Sequence, residues 1–507
     1  MSNKLLKASF GVTLVMLVGY LLSFVKEATI ANFFGVSAEV DAYSIAIQIP
    51  VLLFSFISVA VQSVVIPIFS DIYYNRSDLD AKKYIDNLIT ILFLGTILIA
   101  GVGILLASPI VYLFAPGFEA STHQLSVDLL RITFPSIIFA IICQVLIAVL
   151  NVHKHFVANS FAIYFTNVTI ILCVIFLHGK YGIEAACIGQ LLGDGLRCIY
   201  VVILAKRVYK YKLRLNFRDH DVIKTLKMSL PVLWSMSIAE INAIVNRMVG
   251  SFLFAGSISA ISYASKINSV LLQLFVSAIA TIVYPLYAES SAKGDIKQLN
   301  NRVNSTISAY SLFVVPLTFG VIIYRAEIIE LAFGRGAFNQ DAIELTQGLL
   351  GIYAIGMLFM AFRSTLNNVF YSMKDTKTPA VNASIGAILN IILNLTLPHF
   401  FGIKGIALSS TITAMYITSS LMWSMIKKFD AIEMKNFFTN IKLILLSGVI
   451  MFVVVGLFHH FMNGQHSMLM FTLGVLIATV VYLFCIISFK VPVALQIIEM
   501  LISKKKK

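Results

Sequence analysis

Charged side chains are scarce in this chain of 507 residues: Asp, Glu, Lys and Arg make up only 12% of it, against roughly 25% in a soluble globular domain. With 59% hydrophobic residues and a mean hydropathy of +0.90, that shortage excludes a water-soluble globule and points to a polytopic membrane protein. Cysteine is sparse too. The five present (Cys143, Cys173, Cys187, Cys198 and Cys485) fall in apolar runs without metal-ligand spacing, which excludes a disulfide framework or zinc site and marks them as small core residues. There is no GxxxxGK[ST] loop, no HExxH and no GxSxG, and no polar stretch long enough for a soluble ATPase domain. The expectation is a transporter without enzyme activity, metal or cofactor, driven by an ion gradient, the membrane potential or its cargo's own gradient. No cleavable signal peptide is expected, because the first apolar run exceeds signal length and no small-residue cleavage site precedes Lys26.

What the chain does have is long apolar runs. A transmembrane helix takes about 20 such residues, and fourteen spans can be placed, near 8–28, 41–67, 85–113, 127–151, 158–178, 183–205, 223–254, 258–286, 303–324, 343–372, 380–399, 403–426, 440–461 and 468–489. The net charge of +14 is distributed by side. Lys206, Arg207, Lys210, Lys212, Arg214 and Arg218 crowd the loop between spans six and seven. Lys82 and Lys83, Lys374 and Lys377, Lys427 and Lys428, and the tail Lys504–Lys507 fall on the same side. The alternate loops hold almost no Lys or Arg. By the positive-inside rule both termini lie in the cytoplasm, and the basic loops are topology signals that touch anionic headgroups, not nucleic acid.

The chain also repeats itself. Tyr43 matches Tyr263, Phe118 matches Phe338 and Gly182-Ile183 matches Gly402-Ile403, each at an offset of 220 residues; Pro67 and Pro285 differ by 218. One repeat holds six spans, so both repeats have the same orientation, and transporters of that design bind substrate between their halves near the midplane. The expected fold is all-α: two six-helix parallel repeats (1–220 and 221–430) and two added helices with a basic cytoplasmic tail (431–507).

Polar residues inside the spans mark the functional interior. The stretch Pro231–Pro285 carries Glu240, Asn242, Asn246, Arg247, Lys266 and Asn268. A charge near a bilayer centre costs about 2.5–3.5 kcal/mol even on the lenient insertion scale, so these side chains should face protein or a wet cavity. On a helix Glu240 and Arg247 share a face, while Asn242 and Asn246 point to the other side. Span one ends in Lys26-Glu27, where the lysine either snorkels to the interface or faces the cavity. Span two opens with Asp41 and carries Gln48, Pro50 and Gln62; Pro50 is expected to kink it. Asp194 and Arg197 in span six read as a self-neutralised i, i+3 pair, Arg363 lies inside span ten, and Lys374, Asp375 and Lys377 form a solvated turn before Pro379. His459 and His460 form a weak metal signal.

Several of these stretches, DAYSIAIQIP…VIPIFSD, LFAPGF…LLRITFPSIIF…LN, AGSISAISYASKI, GRGAF and FYSMKDTKTPAVNASIGAILNIILNL, resemble in order and spacing the MurJ (MviN) family. These are lipid II flippases of the multidrug/oligosaccharidyl-lipid/polysaccharide exporter superfamily. The resemblance covers all fourteen spans. It implies carriage of the undecaprenyl-pyrophosphate-linked peptidoglycan precursor from the inner to the outer leaflet of the bacterial cytoplasmic membrane by alternating access, through a cationic cavity, with the last two spans shaping a groove for the lipid tail. The family's basic–acidic pair ending span one corresponds to Lys26-Glu27, its acidic residue opening span two to Asp41, and its span-eight basic residue to Lys266. Tyr20 and Phe54 stand where two further arginines of the family fall, the usual span-seven Asp corresponds to Asn246, and Arg247 is an addition.

The implied substrate-binding set is therefore Lys26, Lys266, Arg247 and Arg363, with Glu27, Asp41, Glu240 and Asn246 as gating or charge-pairing residues. Lysine for arginine is a real change, since ammonium binds phosphate as a point charge and guanidinium as a fork. The implied partners are a polyprenyl-pyrophosphate-linked saccharide, membrane lipids and cell-wall synthases. Open alternatives are a flippase for a capsule, O-antigen or teichoic precursor, an ion-coupled drug antiporter, which would want acidic cavity residues, and a non-transporting scaffold for synthases.

Overall fold

The computed structural model describes residues 3–153, 155, 157–429, 434–462 and 468–495; the basic tail Lys504–Lys507 lies outside them. The described chain is helical and falls into two compact units, Met1–Ser259 with Arg335–Asn339, and Ala260–Gly334 with Gln340–Lys507. All five cysteines are buried and free of disulfides, as small core residues should be.

In the first unit the helices are α1 (Asn3–Phe34), α2 (Ala38–Ala60), a π-helical turn at Val61–Val65, α3 (Ile66–Asn75), α4 (Asp78–Leu105), α5 (Ala107–Phe114), α6 (Ala120–Thr133), α7 (Ser136–Val152), α8 (Val157–Tyr181), α9 (Glu184–Ala205) and α10 (His220–Ser251). Helix starts are set by polar caps. Ser37 accepts from the Val40 N–H at 3.4 Å, and Glu39 and Asp41 in the first turn of α2 suit the positive end of its dipole. Ser77 caps α4 through the Asp80 N–H at 3.0 Å, and Asp219 caps α10 through the Asp221 N–H at 3.0 Å. The core lies where the π-helical turn and α3 meet α4, α7 and α9, around Val64, Phe69, Leu88, Leu146 and Val201.

The second unit holds most of α11 (Ser257–Ala292), then α12 (Ile296–Ile323), α13 (Arg325–Phe333), α14 (Gln340–Ser372), α15 (Lys377–Phe401), α16 (Ile403–Phe429), α17 (Met434–Phe461) and α18 (Met468–Ser488). The two added helices, α17 and α18, pack on α12 through Val315, Ile444, Met451, Tyr482 and Ile486. The Tyr482 hydroxyl donates to the Leu312 carbonyl at 2.9 Å. Hydroxyls knit the rest, as small polar side chains do in lipid: Thr411 donates to the Ile352 carbonyl at 3.0 Å and Thr418 to that of Phe359 at 2.8 Å.

Among the described residues ten helical stretches are long and apolar enough to cross a membrane. The other four expected spans coincide with α1, α10, α11 and α16. Two apolar runs read as single spans are broken: the third divides at Leu106 into α4 and α5, and the fourth at Phe134–Pro135 into α6 and α7. Proline explains the second break, since it cannot continue the hydrogen-bond ladder. In span two, α2 runs on through Pro50, and the ladder gives way further along, at the π-helical turn just before Pro67. Pro67 has no N–H for the carbonyl four residues back, and a π-helical turn absorbs that loss.

The repeat is visible in the elements. Helices α8 and α9 are joined at Gly182 (φ +52°), and α15 and α16 at Gly402 (φ +54°). The short helices α5 and α13 precede Phe118 and Phe338, and Tyr43 and Tyr263 are both 2% exposed near the starts of α2 and α11.

Candidate functional site

The polar interior of the first unit is built on two helices. On α10, Glu240 accepts a hydrogen bond from the Ser55 hydroxyl at 3.0 Å, and Arg247 donates from Nη2 to Gln48 Oε1 at 2.8 Å. Gln48 and Ser55 are seven residues apart on α2, as Glu240 and Arg247 are on α10. The shared face expected for the two charges is therefore met by a matching face on α2, two turns long, in antiparallel register. Each charge takes a neutral partner instead of the other charge. Arg247 also donates Nη1 to the Ala243 carbonyl at 3.0 Å, while its Nε is buried with no acceptor among the described residues. A guanidinium has five N–H donors, so this one retains donors to offer.

The remaining length of α10 is pinned inside the same unit. Arg76 grips Asp221 with two bonds, 2.8 and 3.2 Å, the hydroxyls of Tyr84 and Thr225 meet at 2.7 Å, and the Gly117 N–H reaches the Ser251 hydroxyl at 3.1 Å. These contacts fix the height at which Glu240 and Arg247 stand.

Asp41, read as a gating or pairing residue, is 2% exposed and held by backbone. Its two oxygens accept the N–H groups of Gly256 and Ser259, each at 2.7 Å. The carboxylate thus caps the start of α11 and joins it to the first turn of α2, a favourable place for negative charge. The turn between α10 and α11 passes through Gly256 at φ +94°, a conformation suited to glycine. Lys26 and Glu27 pair with each other at 2.9 Å, the lysine side chain only 11% exposed. Asn246 is half-buried on α10. The second unit carries Lys266 on α11 and Arg363 on α14, both half-buried. The structure so brings Glu240 and Arg247 onto one edge of α2 and gives Asp41 a separate place at a helix start.

The expected Asp194–Arg197 pair is not formed. Asp194 takes the Thr166 hydroxyl at 2.9 Å and the Gln190 amide at 2.7 Å, and the Arg197 guanidinium lies over the Phe54 ring, 5.5 Å from its centroid. A cavity of about 230 Å³ borders these residues, with Pro50, Thr133 and Asn167 also on its wall. Sequence spacing suggested the pair because i, i+3 neighbours share a helix face, but neutral donors on α8 and one turn back on α9 satisfied the acid first. Ser55 was missed. Its signal was the seven-residue match to Gln48, which becomes meaningful once α10 is known to lie along α2. His459 meets Glu327 at 2.8 Å in the second unit, so the weak metal signal resolves as a histidine–carboxylate contact.

A profile described as "Lipid II flippase MurJ" matches residues 30–477. The lipid II flippase MurJ of Thermosipho africanus is 28% identical over 464 residues, 91% of this chain and 92% of its own. The probable lipid II flippase MurJ of Rickettsia prowazekii is 28% identical over 452 residues, 86% of this chain and 87% of its own. Among solved structures, lipid II flippase MurJ in an inward closed conformation matches with a TM-score of 0.82 at 27% identity, over 95% of this chain and 99% of that one. An inward-facing multidrug resistance MATE family transporter matches with a TM-score of 0.67 at 13% identity, over 82% and 95%, a likeness of fold alone. A multi-pass membrane protein with ten helical stretches long and apolar enough to cross a membrane among its described residues, the chain belongs to the lipid II flippase MurJ family.

Proposed function

We propose that this protein flips lipid II, moving the undecaprenyl-pyrophosphate-linked peptidoglycan precursor from the inner to the outer leaflet by alternating access. The observation that carries the reading is the family match over residues 30–477, joined to a fold shared over 95% of the chain with a solved lipid II flippase. A pyrophosphate-sugar headgroup cannot cross about 30 Å of hydrocarbon bare, and fixed cations replace part of the water it loses. In the first unit Lys26 and Arg247 are the proposed cations, Arg247 because it keeps an unused buried donor. In the second unit they are Lys266 and Arg363. Glu27 holds Lys26 when no cargo is bound, and Glu240, Asn246 and Asp41 are proposed as gating residues.

The rest of the reading rests on the sequence. The protein acts without ATP hydrolysis or cofactor, driven by the membrane potential, worth about 2.3 kcal/mol per charge per 100 mV, or by an ion gradient. The sidedness of basic loops supports cytoplasmic termini in the bacterial inner membrane. The 220-residue offset supports repeats at 1–220 and 221–430 with an addition at 431–507, and cell-wall synthases, which consume the cargo, are the proposed protein partners. A second reading, transport of another polyprenyl-linked saccharide, is favoured by Phe54 and Tyr20, which stand where the resemblance places arginines.

Complementation separates the two. A host depleted of its own flippase is supplied with this protein or with Lys266→Ala. Growth restored by the unaltered chain and lost with the variant, at equal membrane levels, is the expected result. No growth with well-expressed unaltered protein moves the assignment to another lipid-linked saccharide.

A further inference from the structure

The basic stretch 206–219, between α9 and α10, is more than a charge signal, because it is strapped to α4. The Tyr209 hydroxyl donates to Asp86, whose Oδ1 also takes the Lys212 N–H at 2.9 Å. The hydroxyls of Tyr211 and Thr90 meet at 2.8 Å. Asn87 and Asn216 exchange two bonds, from Asn87 Nδ2 to the Asn216 carbonyl at 2.8 Å and from the Asn216 N–H to Asn87 Oδ1 at 2.7 Å. Three neighbouring polar residues of a membrane helix are thus spent on fixing one loop.

The strap borders a cavity of about 690 Å³. Its walls are apolar: Ile89 and Phe93 from α4, Ile142 and Leu146 from α7, Val202 and Ala205 from α9. Its polar lining comes from the strap itself, in Lys206, Tyr209, Lys210 and Tyr211. Both tyrosine hydroxyls are already engaged, and both lysines are exposed and outside every ion pair among the described residues. Among the described residues no carboxylate lines the cavity. An occupant must be apolar along most of its length and anionic at one end.

We propose that this groove binds one anionic glycerophospholipid, with an acyl chain along Ile89, Phe93, Ile142 and Leu146 and its phosphate at Lys206 and Lys210. The surrounding membrane supplies that molecule, and the two lysines complement its charge. Ammonium groups act as point charges without a bidentate fork, so selection follows lipid charge and ignores headgroup shape. The site is distinct from the proposed cargo residues, and its occupancy is measured without transport, so its failure leaves the flippase reading intact.

The test is native mass spectrometry of the full-length protein released from detergent containing phosphatidylglycerol or phosphatidylcholine. One cation at an anionic surface is worth about a fivefold effect, so the unaltered protein should retain phosphatidylglycerol about twenty-five-fold better than phosphatidylcholine for two lysines. Lys206→Gln/Lys210→Gln should bring the two lipids to parity. Ile142→Trp, which fills the groove and leaves both lysines, should also lose phosphatidylglycerol. Lys212→Gln/Arg218→Gln removes equal charge from the same loop outside the groove and should retain it. Thermal unfolding confirms that each variant is folded. Equal retention of both lipids by the unaltered protein overturns the proposal. So does an equal loss in the Lys212/Arg218 variant, which would mark a diffuse charge effect.

Discussion

Asp41 illustrates how a buried charge at a helix start can serve architecture. Both its oxygens accept backbone N–H groups at the start of α11, so an amide in its place keeps one acceptor and turns a donor toward a donor. An unsatisfied buried donor costs about 1–3 kcal/mol. Asp41→Asn is therefore expected to lower the midpoint of thermal unfolding in detergent, in parallel with any loss of transport; full stability with transport abolished would instead make Asp41 a working charge. Asp375, outside the spans, is a second carboxylate with a structural task. Burial alone would raise its pKa, but the Lys428 ammonium and the Thr378 N–H and hydroxyl more than reverse this and hold it at about 2. That lies below the roughly 3.9 of an unfolded Asp, so its stabilising contribution is complete above that value and is lost as pH falls from about 4 to 2. Hydrogen exchange at Met373–Thr378, corrected for intrinsic rate, should be flat from about pH 5 to 8 and loosen only below about pH 4; a transition near neutrality would assign the turn a different titrating group. The sequence made these charges visible, because any charge in an apolar run stands out. It hid their partners, as with Arg197 and Asp194, because a ring on α2 and a hydroxyl on α8 carry no signal until the helices are placed.

At the scale of elements, hydropathy found the helices and missed their interruptions. The breaks at Leu106 and Phe134–Pro135 and the π-helical turn at Val61–Val65 fall inside continuous apolar runs, and average hydropathy does not register a change in backbone hydrogen bonding. The joints between helices were better marked. Gly182 and Gly402, 220 residues apart, both adopt a positive φ, and a Cβ at either would meet nothing within 4 Å. The cost of a side chain there is then torsional, about 1–2 kcal/mol or more for an L-residue. Gly182→Ala and Gly402→Ala should each lower the unfolding midpoint, and at Gly402 Asn should do no better than Ala, because a ψ of −138° lies outside the αL region that Asn tolerates. A midpoint unchanged by either alanine would show that the joint needs no glycine.

For the whole molecule, membrane class and span positions were legible because they are averages over many residues, which single substitutions barely disturb, and the repeat showed only through a few residues matched at one offset. The grouping of residues into packed units was not, because it depends on contacts between distant parts of the chain. Arg335–Asn339 packs with the first unit although it is flanked on both sides by the second: the Ala337 N–H donates to the Asn32 carbonyl at the end of α1 at 2.8 Å, and Gly35 and Gly336 leave room for that approach. Synthesis is vectorial, and domains generally form as they emerge from the ribosome. Here the first unit waits for its last five residues until all of Ala260–Gly334 has been made. During that interval the C-terminal end of α1 is an open socket, and the nascent chain is committed to the membrane before its first half is closed.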